Sequence, residues 1–171
     1  MNIYNMKFSI IKGNHYSNQI LYKIGNLINA DRFLSYIVVF DKNCSYLLNE
    51  EDQEDINKLF GYSLGFNHHK DSARFGWFYK DNTIHLCTYV YDDGFRKSKL
   101  IRNLDLNTEY VLTLVDEGEN WLFSVDDSWS TPSEVRVEKK SNFKIGYKLW
   151  PYFGGNNPSP HDMSINMSKW D

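Results

Sequence analysis

Residues 72–101 constrain this chain more than any other stretch: SARFGWFY, KDN, TIHLCTYVY, DDG, FRKSKLI. Aromatic and β-branched runs separated by Asp-Asn and Asp-Gly read as a three-stranded meander. Asp93-Gly94 is the strongest hairpin signal, because glycine accepts the positive φ of a tight turn. If Asp81-Asn82 and Asp93-Gly94 are both two-residue turns, the register follows. Phe78 faces His85, Gly76 faces Cys87, Arg74 faces Tyr89 and Tyr91 faces Arg96. Period-two alternation then places Arg74, Phe78, His85, Tyr89, Tyr91 and Arg96 on one face of the sheet. Ala73, Phe75, Trp77, Tyr79, Ile84, Leu86 and Val90 share the other, which reads as a core wall.

The rest of the chain repeats this texture. Strands are expected at residues 3–11, 33–40, 60–66, 109–115, 121–125, 133–140, 143–150 and 163–167, with CSYLL continuing the strand that ends at Phe40. Residues 15–23 are ambiguous, with Ile20, Leu21 and Ile24 pointing to an edge strand, and IGNLINADR reads as a loop. Turn signals recur roughly every 8–12 residues, the spacing of an all-β sandwich or barrel. The expected fold is an all-β antiparallel sandwich of the jelly-roll type, its two sheets about 10 Å apart. One short helix is expected near residues 50–58, where Asn49 is a plausible N-cap followed by acids. The 171 residues are of a size for one domain, residues 1–171.

Composition narrows the function classes. Lys plus Arg number 19 against 22 Asp plus Glu, a net charge of −3, which disfavours a protein devoted to the nucleic-acid backbone. The first residues, MNIYNMKFSII, lack an apolar signal-peptide core, so synthesis in the cytoplasm is expected, and no apolar run is long enough for a membrane helix. Cys44 and Cys87 sit in no metal or redox motif and are expected to be free thiols. Histidines 15, 68, 69, 85 and 161 show no chelating spacing, so neither a metal nor another cofactor is expected. The acids Glu50, Glu51, Asp52, Glu54 and Asp55 are oxygen donors but lack a calcium-loop spacing; a solvated turn is the simpler reading.

The Arg/Tyr face carries more chemical content. A guanidinium offers a planar fork of donors to carboxylates or vicinal hydroxyls. Tyrosine rings stack on the apolar faces of sugars. Near the C-terminus, KLWPYFGGNNPSPHD adds Trp150 and Tyr152 on a proline-stiffened loop, and Pro151 ends the strand before it. The candidate ligand-binding residues are therefore Arg74, Phe78, His85, Tyr89, Tyr91, Arg96, Trp150 and Tyr152. The expected partner is a glycan or another protein, not a membrane, with a homo-oligomer or larger assembly as a further expectation. Incorporation into a virus particle surface is one setting consistent with that reading.

The order SARFGW, then TIHL, then FKIGYKLWPYFGG resembles concanavalin A-like jelly rolls over residues 57–167. That group includes laminin-G-like lectin domains and polysaccharide lyases of the alginate-lyase type. The resemblance to the lyases implies β-elimination on uronate-containing glycans, with Arg74, His85 and Tyr147 in the catalytic positions. A second Arg and a Glu, usual on the lyase arginine strand, are absent, and Thr83 stands where those enzymes carry Gln. A non-catalytic binding sandwich is the leading expectation and a lyase its alternative.

Overall fold

The computed structural model describes residues 5–18, 27–28, 33–127, 129–141 and 145–170. Strands whose side chains alternate between apolar and polar can bury only one face, so they pair into sheets that stack apolar face to apolar face. Here the strands are β1 (Asn5–Ile10), β2 (Leu27–Ile28), β3 (Phe33–Phe40), β4 (Asn57–Leu64), β5 (Ser72–Lys80), β6 (Thr83–Asp92) and β7 (Phe95–Lys97). They continue as β8 (Leu100–Leu104), β9 (Glu109–Asp116), β10 (Asn120–Asp126), β11 (Ser133–Glu138), β12 (Gly146–Leu149) and β13 (Met163–Lys169). One sheet runs β1-β13-β3-β9-β10-β11; the other runs β2-β12-β4-β5-β6-β7, with β8 also on β6. Every pairing is antiparallel.

Between the sheets the aromatics interlock. Phe75 meets Phe60 at 5.2 Å within its own sheet and Phe123 of the other at 5.1 Å, while Phe40 meets Trp77 at 5.1 Å. Tyr62 stacks on Trp121 across the same gap. Trp77, Trp121, Phe75 and Phe123 are fully buried, and truncating any of them to alanine would cost about 3–5 kcal/mol.

The meander has the expected register. Phe78 pairs with His85, Gly76 with Cys87, Arg74 with Tyr89 and Tyr91 with Arg96. Both turns use left-handed backbone, at Asp81-Asn82 (φ 50° and 61°) and Asp93-Gly94 (φ 53° and 83°). Its third strand differs from expectation. It breaks at Ser98-Lys99 into β7 and β8, and the break is stitched to Thr88, whose hydroxyl accepts from the Lys99 amide at 3.0 Å.

Several local expectations are corrected. No α-helix forms at residues 50–58; the short helix is a 3-10 turn at Lys42–Cys44, so CSYLL does not extend β3. Asn49 does cap the Asp52 amide at 2.8 Å. The chain then makes successive turns, with the Gln53 backbone amide donating to the Asn49 carbonyl at 3.0 Å and the Asp55 amide to that of Asp52 at 3.0 Å, while the Gln53 side-chain amide donates to the carbonyls of Tyr46 and Tyr79. Leu27–Ile28, expected in a loop, pairs with β12. The edge-strand expectation resting on Ile20, Leu21 and Ile24 lies outside the described residues. Cys44 and Cys87 are both free and buried.

One irregularity positions the site. Phe60, Tyr62 and Leu64 point into the core, and strict alternation would send Lys58 in with them. The β4–β5 register shifts between Lys58 and Gly61. Leu59 and Phe60 are consequently both buried in the core, and Lys58 emerges on the outer face opposite Gly76. Bulges re-aim side chains in this way.

Candidate functional site

The outer face of the β12-β4-β5-β6 sheet can be followed row by row from the register. Tyr147, Ser63, Ser72 and Tyr91 form one row; Leu149, Gly61, Arg74 and Tyr89 the next; Lys58, Gly76 and Cys87 a third; Phe78 and His85 a fourth. Two residues of strand separate adjacent rows, about 7 Å. Tyr147, Ser72 and Tyr91 of the first row, Leu149, Arg74 and Tyr89 of the second and Lys58 of the third floor a groove of about 580 Å³. Across the β4–β5 pair each cation faces a glycine, Arg74 facing Gly61 and Lys58 facing Gly76, which keeps the floor open. At Gly61 a Cβ would come within 2.0 Å of the Ala73 carbonyl oxygen, so the strands close there only around glycine.

Two loops wall the groove. At one end the turn before β5 brings in His68 and His69. The Ser72 hydroxyl donates to the His68 carbonyl at 2.6 Å, and the Asp93 amide donates to Asp71 at 3.1 Å, tying this turn to the Asp93-Gly94 hairpin. At the other end stands the loop after β12, with Tyr152 paired through its backbone to Lys58 and Tyr16 edge-on to its ring at 5.0 Å. Residues 13–17 bind that loop along its length: the Phe153 amide donates to the His15 carbonyl at 2.7 Å, and Gly13 and Ser159 are joined at 2.8 Å.

The electrostatics are one-sided. No Asp or Glu is among the described residues lining the groove, whereas Lys58, His68, His69, Arg74 and Lys148 are. Arg74 is only 8% exposed, and no carboxylate among the described residues pairs with it. One terminal nitrogen donates to the Trp150 carbonyl at 2.5 Å, and its Nε finds no acceptor among the described residues. Burial pulls the Arg74 pKa down from 12.5 to about 10. Lys58 is likewise lowered, to about 8, first by burial and then by the charge of Arg74. Its ammonium donates to the Gly154 carbonyl at 2.8 Å and lies 4.9 Å above the Tyr89 ring and 5.6 Å from that of Tyr152. Burial also pushes the Tyr89 hydroxyl up to about 12. In the first row Tyr147 Oη and His68 Nδ1 lie 3.0 Å apart, and burial, with His69 and Arg74 nearby, lowers the His68 pKa below its ordinary 6.5.

The structure gathers Arg74, Tyr89, Tyr91, Tyr147, Trp150 and Tyr152 at this groove. It does not bring Phe78, His85 or Arg96 to the lining. Phe78 and His85 stack face to face at 4.7 Å one row beyond the floor, and His85 Nε2 lies 3.2 Å from the Lys80 carbonyl, so the imidazole belongs to the Asp81-Asn82 hairpin end. Arg96 sits across from Tyr91, its charge bearing on the Tyr89 hydroxyl. The Trp150 ring stacks on Phe8 at 5.4 Å, so this residue contributes its carbonyl to Arg74 rather than an exposed platform. Sequence reasoning missed Tyr16, Lys58 and the role of His68 and His69. Only the adjacent His68-His69 pair was visible as a motif, and a turn, unlike a strand, lets both rings face one space.

Among the described residues no group of three or more His, Cys, Asp or Glu could hold a metal ion, and no helix is long and apolar enough to cross a membrane. In the acidic segment, Asp52 accepts from the Asn49 and Asn157 side-chain amides, both at 2.7 Å, and Asp55 from the Asn156 backbone amide at 3.3 Å.

No protein-family model and no curated protein matches this sequence. Solved structures do. A functionally unknown protein from Saccharomyces cerevisiae superposes with a TM-score of 0.59 at 11% identity, over 99% of this chain and 90% of that one. A polysaccharide lyase of family 18 gives 0.56 at 6% identity, over 96% and 85%. The alginate lyase from Klebsiella pneumoniae gives 0.54 at 7% identity, over 79% of this chain and 56% of that enzyme's length. The fold is the concanavalin A-like jelly roll. At these identities the likeness establishes the fold and nothing more specific.

Proposed function

We propose that the groove binds an acidic glycan, its uronate carboxylate received by Arg74 and its sugar rings lying against Tyr89, Tyr152 and Tyr16. The observation that carries this reading is the uncompensated guanidinium. A charge 8% exposed without a carboxylate partner among the described residues is costly to keep, and an incoming carboxylate would supply one. Arg presents a planar fork suited to such a group. In a chain of net charge −3, a groove whose described lining residues include cations and no acid also concentrates positive potential at one place. Two of the similar structures being polysaccharide lyases by name is in keeping with this reading.

Isothermal titration with a uronate tetrasaccharide and its carboxyl-reduced counterpart tests it. The acidic form should bind and the reduced form should not, and Arg74→Met should remove binding. Equal affinity for both forms would show that the carboxylate is not what the groove recognises.

One observation favours a catalytic version, the His68–Tyr147 pair at 3.0 Å beside Arg74. In β-elimination a base removes the C5 proton, electrons form the C4–C5 double bond, and the C4–O bond breaks onto a protonated leaving oxygen. Arg74 would neutralise the carboxylate that stabilises the developing carbanion. A His68 imidazole held neutral can accept a proton, and the Tyr147 hydroxyl can deliver one. His68 thus takes the place that the sequence resemblance gave to His85. Ultraviolet absorbance of unsaturated chain ends reads the reaction directly. His68→Gln and Tyr147→Phe should each abolish it while binding persists, and unchanged turnover in either variant would remove the assignment.

A further inference from the structure

The groove carries a second cation whose placement the fold has taken trouble over. Lys58 reaches the outer face only because the β4 bulge reverses the alternation that would have buried it beside Phe60. It lies one row from Arg74, about 7 Å along the strand, and each of the two stands opposite a glycine. Its ammonium is held between the Tyr89 and Tyr152 rings and donates to the Gly154 carbonyl, and it forms no salt bridge with any carboxylate among the described residues. A floor that repeats an unpaired cation over the length of a sugar residue presents two anion positions in line.

We propose that Lys58 is a specificity-determining residue: together with Arg74 it reads two carboxylates on neighbouring sugars, so the groove selects unbroken runs of acidic residues over chains in which uronate alternates with a neutral sugar. This rests on the reading of the groove as an acidic-glycan site. Arg74, wedged against Trp150 and with a pKa about two units above that of Lys58, fixes the first carboxylate; Lys58, on a flexible stem, meets the second. The two differ in their response to pH. The Lys58 pKa is lowered to about 8 by burial and by the charges of Arg74 on β5 and Arg96 on β7, against the opposing pull of Asp55 before β4 and Cys87 on β6. Recognition of the second carboxylate is therefore present below pH 8 and fades above it, while the first persists.

The test titrates the wild-type protein with two tetrasaccharides of equal length, a homopolymeric uronate and one alternating uronate with a neutral N-acetylhexosamine. At pH 6.5 the wild type should prefer the homopolymer by about ten-fold or more, the scale of one hydrogen bond to a charged group. Lys58→Met should bring the preference close to one while still binding the alternating chain; Lys58→Arg should keep it. Raising the pH to 9.5 should erase the preference in the wild type and leave it in Lys58→Arg, a difference that a purely structural lysine would not produce. Equal wild-type affinity for the two chains, or a preference surviving in Lys58→Met, overturns the proposal and leaves the acidic-glycan reading standing. Binding of neither chain overturns that reading itself.

Discussion

Replacing Arg74 with methionine should not destabilise this protein. Holding the guanidinium charged at pH 7 against a pKa lowered from 12.5 to about 10 costs about 3 kcal/mol, at about 1.4 kcal/mol per pH unit. The penalty is present in full below pH 10 and is relieved as the pH rises toward 12.5. Against it stands the hydrogen bond to the Trp150 carbonyl, worth about 1.5–3 kcal/mol as a bond from a charged donor. Methionine keeps most of the aliphatic packing and removes both terms. The net expectation is a change between zero and about 1.5 kcal/mol in favour of the variant, by difference of those estimates. For a chain of this length that is a melting temperature unchanged or raised by up to about 5 °C. Differential scanning calorimetry at pH 7 measures it, with oligouronate titration of the same sample. A variant that is at least as stable yet does not bind identifies an arginine kept for its ligand. A fall of more than about 5 °C would refute the reasoning, because it would make Arg74 a structural tie for the loop after β12.

Three further outcomes follow from the fold and its charges. Gly146→Ala would put a Cβ 2.0 Å from the Ser63 carbonyl oxygen, so β12 must shift; the expected loss is about 1–3 kcal/mol or more, read by thermal melt. Both thiols should resist alkylation at pH 8 until the protein unfolds, because burial pushes the Cys44 pKa far up and that of Cys87 to about 12; mass spectrometry of the native protein after iodoacetamide would show no added mass. Asp127 is held at about 2, first by the Trp129 amide and then by Ser130 and Arg102. A depressed carboxylate pKa contributes stability above the ordinary value of 3.8 that is lost as the pH falls toward 2. Asp127→Asn should therefore flatten the decline in melting temperature between pH 4 and pH 2.

What could be read from the sequence was local and periodic. Asp-Asn and Asp-Gly at the meander turns set the pairing of Arg74 with Tyr89 and Tyr91 with Arg96, and alternation separated the Phe75–Trp77 wall from the Arg74 face. What could not be read depended on breaks in periodicity and on loops. The β4 bulge leaves no signal in KLFGYSL, yet it decides that Lys58 lines the groove. His68 is delivered by a turn whose shape is set by contacts with Asp93 and Tyr147, remote in sequence. His85 shares the face of Arg74, as alternation requires, but distance along the strand places it past the end of the groove floor. The acidic run after Asn49 has a real cap and still forms only turns, its Gln53 side chain reaching out to the carbonyls of Tyr46 and Tyr79, partners that the local sequence does not reveal.

The central claim is that Arg74 receives a sugar carboxylate, and a crystal structure of the protein with a bound uronate tetrasaccharide tests it most directly. The account predicts a carboxylate within hydrogen-bonding distance of the Arg74 guanidinium, a sugar ring against Tyr89 or Tyr152, and a neighbouring carboxylate at Lys58. A tetrasaccharide bound away from this groove, or lying in it with its carboxylates turned to solvent, would contradict the account.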